Sequence, residues 1–421
     1  MSPPQLALQF FFQLAIILVA CRLVGAVARR FGQPQVVAEM IAGVLLGPSL
    51  LGLYFPELFS RVFPAESMRV LFPIVQFGLA AYMFIVGLEF RTDVMRQHLR
   101  GTIIVSLAGV IAPFLFGAAL GLFFHRHTSL LPARTSAIEA ILFLGATMSI
   151  TAFPMLARII QHKKLGGSPV GTISLAGGAL NDAAAWIVLA IAIASGDGDY
   201  TQALRNLLGG ACFVAIAFFV LQPVLARWGR GVELRGRLTE TEFVGGLILL
   251  TLGAAFTEAV GLHGVFGAFI MGAIMPRGVV TSTLIARIQP LTVALLLPLF
   301  FAYSGLNTQI GLLDSLYHWG LVGLLLAIGI VSKGAACWLA ARTAGFSNRE
   351  ALGIGTLMNV RGLMGLVIID IGLQRGVISP ALFATLAIMA MITTVMASPV
   401  FDWLVGNSAT VSEDAAPAKA E

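Results

Sequence analysis

Charged residues are scarce in this 421-residue sequence: Asp, Glu, Lys and Arg together make up 11% of it, whereas 58% is apolar. A typical soluble domain is about 25% charged. This chain therefore has too few charged side chains to cover a water-exposed surface, which excludes a soluble enzyme. The same composition excludes a disordered chain. The 26 basic and 20 acidic residues leave a net charge of +6, but no basic cluster indicates nucleic-acid binding.

Cysteine is equally scarce, and each of Cys21, Cys212 and Cys337 lies inside an apolar run. This placement argues against a disulfide framework, and no close pair indicates a metal site. The sequence also lacks a phosphate-binding lysine loop, a cofactor motif and spaced Ser/His/Asp or Cys/His sets. ATP-driven pumping and covalent catalysis are therefore without support, and we expect neither an enzyme nor a bound cofactor.

What the sequence does contain is a series of long apolar runs, each near the 20 or so residues that a helix needs to cross a bilayer. We count about 13 runs, of which the ninth is short. They fall at residues 8–29, 33–52, 67–90, 99–124, 136–160, 166–194, 203–227, 241–260, 262–276, 284–307, 316–341, 350–373 and 377–405. The sequence therefore predicts an all-α polytopic membrane protein with about 13 transmembrane helices.

The distribution of Lys and Arg over the predicted loops indicates the orientation. Most of these residues fall on the side of the membrane that is reached after the first run, beginning with Arg29 and Arg30. Because cytoplasmic loops carry the excess of Lys and Arg, we expect the N-terminus outside and the C-terminus in the cytoplasm of a bacterial plasma membrane. We expect residues 406–421 to form a disordered cytoplasmic tail.

Two of the runs carry polar and small residues at mid-membrane. The fifth contains Ala146–Pro154 and the twelfth contains Thr356–Gly365. Proline and glycine loosen a helix at such positions, and the two runs are seven spans apart, so they cross in opposite directions. Paired broken helices of this kind indicate an inverted repeat, spans 1–6 against spans 8–13, with a transporter site at the breaks. The alternative is a pair of kinked packing helices without a binding role.

Three charged residues stand out among those inside predicted spans, where a charge costs about 2.5–3.5 kcal/mol on insertion scales. Asp182 is too far from either end of its run to reach the interface, and a lone carboxylate there can bind a cation or a proton. Lys333 is the natural counter-charge to Asp182 or to the broken helix ends, and its amine could also titrate. Arg361 stays protonated, so we expect it to neutralise exposed carbonyl groups or to pair with a carboxylate.

Four polar residues are weaker candidates for the same site. Glu39 lies inside the second span, and Asn359 lies in the break of the twelfth. Glu89 is at the edge of the third span and Glu258 near the outer end of the eighth, where an interfacial or packing role is favoured for both. The histidines form no ligand constellation, so the one metal site that we expect is a Na+ or K+ site at Asp182.

Six segments resemble the monovalent cation:proton antiporter-2 family, in particular its branch of plant cation/H+ exchangers. The resemblance spans nearly the whole chain, and the asparagine–aspartate pair inside a span is its most specific part. The segments are Glu39–Ser49, Phe84–Glu89, Ser149–Arg158, Leu180–Trp186, Gly264–Phe269 and Met358–Gly365.

The resemblance implies a thirteen-span fold of the Na+/H+ antiporter type, with two broken crossing helices and a homodimeric assembly. Spans 4–6 (98–195) and 11–13 (309–405) would form the moving core. Spans 1–3 (1–97) and 8–10 (240–308) would form the dimer scaffold, and residues 196–239, with span 7, the linker.

The resemblance also implies roles for individual residues. Asp182 falls on the family's cation- and proton-binding carboxylate, and Lys333 falls on its membrane lysine. Thr147 and Ser149 fall at the break that lines the ion site. Asn181 falls on a position that is aspartate in the electrogenic members, so this chain lacks the acid that would pair with Lys333.

These observations favour secondary antiport, in which H+ and Na+ or K+ compete for Asp182 and the core alternates between the two sides. Such a protein would serve pH homeostasis, and one charge would be exchanged for another. Three alternatives stay open: a gated K+ efflux system with a separate regulatory partner, a non-transporting membrane sensor, and an organic-anion symporter. A sensor should have lost the buried acid, and a symporter would have fewer spans and a more polar cavity.

Overall fold

The computed structural model of the chain describes residues 2–30, 33, 35–90, 99–197, 200–306 and 316–406. Within these ranges every regular element is a helix, as the long apolar runs predict. The α-helices are α1 (Pro3–Arg30), α2 (Gln35–Leu46), α3 (Leu51–Tyr54), α4 (Pro56–Val62), α5 (Ala65–Glu89), α6 (Leu99–His127), α7 (Ala137–Ser149), α8 (Phe153–His162), α9 (Pro169–Asp197), α10 (Thr201–Ile216), α11 (Gln222–Arg235), α12 (Glu240–Ala259), α13 (Gly264–Ala273), α14 (Val279–Leu291), α15 (Leu297–Leu306), α16 (Leu316–Ile330), α17 (Ala336–Thr343), α18 (Asn348–Met358), α19 (Gly362–Gln374) and α20 (Pro380–Val405). Three π-helical turns, Ala217–Leu221, Thr292–Leu296 and Val331–Ala335, join consecutive α-helices into longer ones.

Eleven helical segments of the described chain are long and apolar enough to cross a membrane. This finding confirms the predicted all-helical membrane class, whereas the count of thirteen stays a prediction. The difference comes from two runs: the ninth is the ten-residue helix α13, and the twelfth is divided between α18 and α19. The tail predicted at 406–421 lies outside the described residues except for Gly406.

The helices fall into two compact units. The first contains α1–α5 and α10–α15, and the second contains α6–α9 and α16–α20. Each unit is therefore assembled from two separate stretches of the chain. Both of the breaks predicted from the sequence fall in the second unit.

In the first unit, α5 and α13 pack backbone against backbone. A Cβ atom at Gly87 would overlap the carbonyl oxygen of Phe269, and one at Gly272 would overlap that of Phe84. Small residues allow helices to approach this closely where no aqueous hydrophobic force drives them together.

In the second unit, α6 packs in the same way against α7. Gly117 and Gly121, four residues apart on one face of α6, lie against the carbonyl groups of Leu144 and Ala140. This contact holds the helix that carries Thr147 and ends at the first break.

The helices that lead into the two breaks have well-defined starts. The Ser136 hydroxyl caps α7 by accepting a hydrogen bond from the Glu139 amide. Ser347 and Glu350 form a reciprocal capping box at the start of α18. Such caps satisfy amide groups that a helix start leaves without partners, so each of these helices is fixed at the end opposite its break.

The turn after α8 contains the one non-glycine residue of the described chain that has a positive φ, Lys164 at 58°. The Lys164 amide donates to the Gln161 carbonyl oxygen, and the Leu165 amide donates to that of Ile160, each at 3.0 Å. This left-handed helix end is the position that glycine normally occupies, because a side chain there costs about 1–2 kcal/mol.

We therefore expect Lys164→Gly to stabilise the protein, by about 1 kcal/mol or less once the greater freedom of glycine in the unfolded chain is subtracted. The measurement is the apparent melting temperature of purified protein in detergent. Lys164→Ala is the control, because it removes the long side chain and keeps the strained backbone. A glycine variant no more stable than the alanine variant would contradict this account.

Candidate functional site

The two breaks predicted from the sequence are both present. The first separates α7 from α8 at residues 150–152, and the second separates α18 from α19 at residues 359–361. The two breaks contact each other directly. The Ala152 amide donates a hydrogen bond to the Val360 carbonyl oxygen at 2.8 Å, and the Thr151 hydroxyl donates to the Met358 carbonyl oxygen at 3.3 Å. The second unit is thus built around a crossing of two interrupted helices.

Each break exposes helix ends inside the protein. The last carbonyl groups of α7 and α18 and the first amides of α8 and α19 lack intrahelical partners, and they carry the partial charges of the helix dipoles. At the start of α19, Gly362 has φ +44°, and its amide donates to the Thr394 hydroxyl of α20 at 2.8 Å. Thr394 therefore fixes the second half of the broken helix.

Lys333 contacts the first break. It lies in the π-helical turn between α16 and α17 and is fully buried. Its ammonium group donates to the carbonyl oxygens of Ser149 and, at 3.0 Å, Ile150. Of the two partners that the sequence left open for Lys333, the structure brings it to the helix end. Lys333 and Asp182 interact electrostatically but form no direct ion pair in the described contacts.

Arg361 lies in the second break and is also buried, with 1% of its surface exposed. One guanidinium nitrogen donates to the Met148 carbonyl oxygen at 2.6 Å, and the other donates to that of Gly329 at 2.9 Å. Two cations thus lie at the C-terminal end of α7, where the helix dipole is negative.

Asp182 lies on α9 with 2% of its surface exposed. Its Oδ1 atom is buried and has no hydrogen-bond partner among the described residues. The Trp186 side chain, one helical turn further on, interacts with the same carboxyl group. A buried carboxylate oxygen without a donor is costly unless a proton or a cation occupies it.

Asn181 links this carboxylate to the crossing. Its amide nitrogen donates to the Thr151 hydroxyl at 3.4 Å, a long hydrogen bond, and its own carbonyl oxygen is buried without a described partner. Helix α6 approaches closely here, since a Cβ atom at Gly109 would come within 2.7 Å of the Asn181 amide nitrogen. Asp182 and Asn181 thus each offer one oxygen with unused capacity.

Thr147 and Ser149 are buried in the last turn of α7. The Thr147 hydroxyl donates to the Phe143 carbonyl oxygen at 2.9 Å, and the Ser149 hydroxyl donates to that of Ala146 at 3.0 Å. Because both hydroxyl protons are used within the helix, the oxygen lone pairs remain the groups that can bind a cation.

The weaker candidates divide between the two units. Asn359 lies in the second break, 6% exposed, and its Oδ1 atom has no described partner. Glu39, buried on α2, and Glu89, exposed at the end of α5, belong to the first unit. Glu258 also belongs there, and its carboxylate accepts from the Gly264 amide at 2.7 Å, which caps α13.

Sequence reasoning missed two threonines. Thr151 bridges the two breaks and contacts Asn181; its position inside the predicted break was the signal that could have found it. Thr394 gave no such signal, because a threonine in a long apolar helix usually bonds its own backbone. Thr394 does donate to the Ala390 carbonyl oxygen at 2.7 Å, while its oxygen also accepts from Gly362.

The available ligands at this site are oxygen atoms. No group of three or more His, Cys, Asp or Glu residues that could hold a metal ion occurs in the described part of the chain. Carboxylate, amide and hydroxyl oxygens suit hard cations and not the soft transition metals. A single carboxylate balances one positive charge, which suits a monovalent ion or a proton.

Comparisons with known proteins agree with this chemistry. The sequence pattern of the family described as "Sodium/hydrogen exchanger, transmembrane" matches residues 15–406. The Na(+)/H(+) antiporter NhaS4 of Synechocystis is 41% identical over 391 residues, which cover 91% of this chain and 94% of that protein. Cation/H(+) antiporter 15 of Arabidopsis thaliana is 33% identical, and K(+)/H(+) antiporter 1 of Saccharomyces cerevisiae is 32% identical, each over 93% of this chain. The chain spans about half the length of these two relatives, 47% and 46%.

A solved structure shares the fold. The sodium proton antiporter MjNhaP1 from Methanocaldococcus jannaschii, at pH 8, superposes with a TM-score of 0.61 over 96% of this chain and 99% of that one. At 15% sequence identity, this likeness concerns the fold alone. It confirms the antiporter-type architecture that the sequence predicts.

The hydrogen bonds of Lys333 predict that its substitution lowers the stability of the protein. Lys333→Met leaves the carbonyl groups of Ser149 and Ile150 without their donor, and each unsatisfied buried group costs about 1–3 kcal/mol. We expect a clear fall in the melting temperature of the purified protein. Lys333→Gln, which keeps an N–H donor, should lose less. A methionine variant as stable as the wild type would show that the ammonium group does not support the break.

Proposed function

Because the chain belongs to the sodium/hydrogen exchanger family, we propose that it is an antiporter that exchanges Na+ or K+ for protons across a membrane. The observation that carries this proposal is the buried Asp182 carboxylate beside a crossing of two broken helices, whose Oδ1 atom has no hydrogen-bond partner in the described part of the chain. Its relatives named as Na+/H+, cation/H+ and K+/H+ antiporters support the same conclusion. The protein is then a transporter and not an enzyme, and it needs no bound cofactor.

Asp182 carries either a proton or a metal cation, never both, because one negative charge neutralises one positive charge. The oxygens of Asn181, Thr147 and Ser149 complete the coordination of the cation. Lys333 and Arg361 stay positively charged throughout the cycle, and they stabilise the helix ends by donating hydrogen bonds to backbone carbonyl oxygens. Glu39, Asn359, Glu89 and Glu258 stay secondary candidates.

The second unit moves and the first stays fixed in this proposal. The groups to which we assign the main transport roles all lie in the second unit, α6–α9 with α16–α20, whereas three of the secondary candidates do not. The division of the chain into two compact units supports this assignment. In the first unit, α1–α5 and α12–α15 form the scaffold of a homodimer, and α10 and α11 belong to the linker at 196–239. Alternation of the second unit exposes Asp182 to one side of the membrane at a time.

The protein is an integral membrane protein, and we place it in the plasma membrane of a bacterium with its N-terminus outside. The excess of Lys and Arg on one set of loops supports this orientation. A gated K+ efflux system with a separate regulatory partner is the second candidate. A non-transporting sensor is disfavoured because the buried carboxylate is intact.

The first prediction from this proposal is that Asp182→Asn abolishes exchange, because an amide cannot alternate between proton and cation. The measurement is cation-dependent proton flux in proteoliposomes with an internal pH dye, for Na+, K+, Li+ and Rb+ in turn. Asp370→Asn is the matched control in the same unit, since Asp370 accepts a hydrogen bond from Gln374 on its own helix. Flux by the Asp182 variant above that of empty liposomes would exclude Asp182 as the carrier.

The second prediction is that exchange is electroneutral. Asn181 cannot form an ion pair with Lys333, and the Lys333 ammonium group already donates to two carbonyl oxygens. The negative end of the α7 dipole favours the charged form of Lys333, so in this proposal Lys333 keeps its proton throughout the cycle and one positive charge replaces another at Asp182. A valinomycin-clamped potential of about 100 mV, worth about 2.3 kcal/mol per charge moved, should leave the rate of Na+-driven proton flux unchanged. A rate that follows the potential would show net charge movement.

A further inference from the structure

The second unit contains a cavity that transport of a small cation does not require. Its volume is about 370 Å³, within the range of small-molecule sites, and Asp182 does not line it. One wall is the helix that carries Lys333, with Val331 and Trp338. The floor is α18, and the other wall is α20, with Met396 and Val400.

The lining is apolar except at a few points. The Thr356 hydroxyl already donates to the Leu352 carbonyl oxygen at 2.8 Å. The Thr393 hydroxyl likewise donates to the Met389 and Ala390 carbonyl oxygens at 3.0 Å. No lining residue carries a charge. The walls therefore offer little to a charged ligand, which would lose its hydration without compensation.

Asn359 is the exception. It lines the cavity, is 94% buried, being 6% exposed, and its Oδ1 atom has no hydrogen-bond partner in the described structure. Buried amide groups in folded proteins are normally paired. An apolar space with one unsatisfied amide in its wall matches a ligand that has an apolar body and one uncharged hydrogen-bonding group.

We propose that this cavity binds an uncharged amphiphile, with an apolar chain along α18 and α20 and a primary amide paired with Asn359. The Asn359 side chain favours a primary amide as the polar group, because such an amide can donate to the Asn359 oxygen and accept from its nitrogen. An apolar molecule of this kind reaches the protein from the bilayer.

Binding at this position affects transport through two groups. The Val331–Ala335 turn, which holds Lys333, forms part of the wall, and Asn359 belongs to the second break, two residues before Arg361. A ligand bound in the cavity holds α16–α17, α18 and α20 at a fixed spacing. It therefore inhibits antiport if these helices move relative to one another during the transport cycle. The binding claim stands without the proposed function, whereas the inhibition rests on it.

The test uses a dodecanamide that carries a diazirine at mid-chain and a terminal alkyne, with the full chain in proteoliposomes. After irradiation, labelled peptides are identified by mass spectrometry. We expect labelling of the α18 and α20 segments that line the cavity, and competition by unlabelled dodecanamide. The N,N-dimethyl amide, which lacks the N–H donor, should compete about five-fold less well.

Three variants make the test specific. Met396→Trp fills the cavity and should abolish the labelling, while Met391→Trp, the same change on α20 outside the lining, should leave it unchanged. Asn359→Leu should weaken competition by dodecanamide about five-fold and remove the preference over the dimethyl amide. Far-UV circular dichroism and gel filtration show which variants are folded.

Labelling that is spread over all helices, or that survives in folded Met396→Trp, would overturn the proposal. Equal competition by the two amides would overturn the role of Asn359 whether or not any variant folds. Inhibition of exchange by dodecanamide in the wild type, together with slower exchange in folded Met396→Trp than in Met391→Trp, supports the coupling. Labelling without inhibition would overturn the coupling alone and leave the binding site standing.

Discussion

The structure of the second unit depends on two helices, α7 and α18, that end inside it. Their terminal carbonyl and amide groups must be satisfied away from water, because an unpaired backbone group in such a place costs several kcal/mol. The protein meets this requirement with two buried cations, Lys333 and Arg361, on the carbonyl groups that end α7, and with Thr394 on the start of α19. The crossing is thus held by the side chains of Lys333, Arg361 and Thr394.

In the proposed function, the contacts of Lys333 with the helix end leave the Asp182 carboxylate to bind either a proton or a cation. Asp182 lies close enough to interact with Lys333, but it forms no direct pair with it. If Lys333 formed an ion pair with Asp182, a cation that binds Asp182 would have to break this buried pair. Lys333 would then be left unpaired, which costs a large free energy. With Lys333 bonded to the helix end, we propose that the Asp182 Oδ1 atom binds the proton or the metal ion.

The sequence predicts the helical class and both breaks because proline, glycine and polar residues at mid-membrane have local consequences. It does not predict the partner of Lys333, since the choice between Asp182 and the end of α7 depends on how distant helices pack. Thr394 was missed for the same reason, as its partner lies 32 residues away on another helix. The count of thirteen spans depends on α13, too short for a complete span, and on the pair α18 and α19, which share one run.

The central claim is that one site at Asp182 holds either a proton or a cation, and the binding equilibrium tests it most directly. The measurement is the apparent affinity of the purified protein for Na+ and for K+, with the accompanying proton release, between about pH 6 and pH 8.5. Competition at one carboxylate predicts that cation binding releases protons and that affinity weakens towards about tenfold per pH unit at the acidic end. An affinity independent of pH, with no proton released, would contradict the account and show that the two ions bind at separate sites.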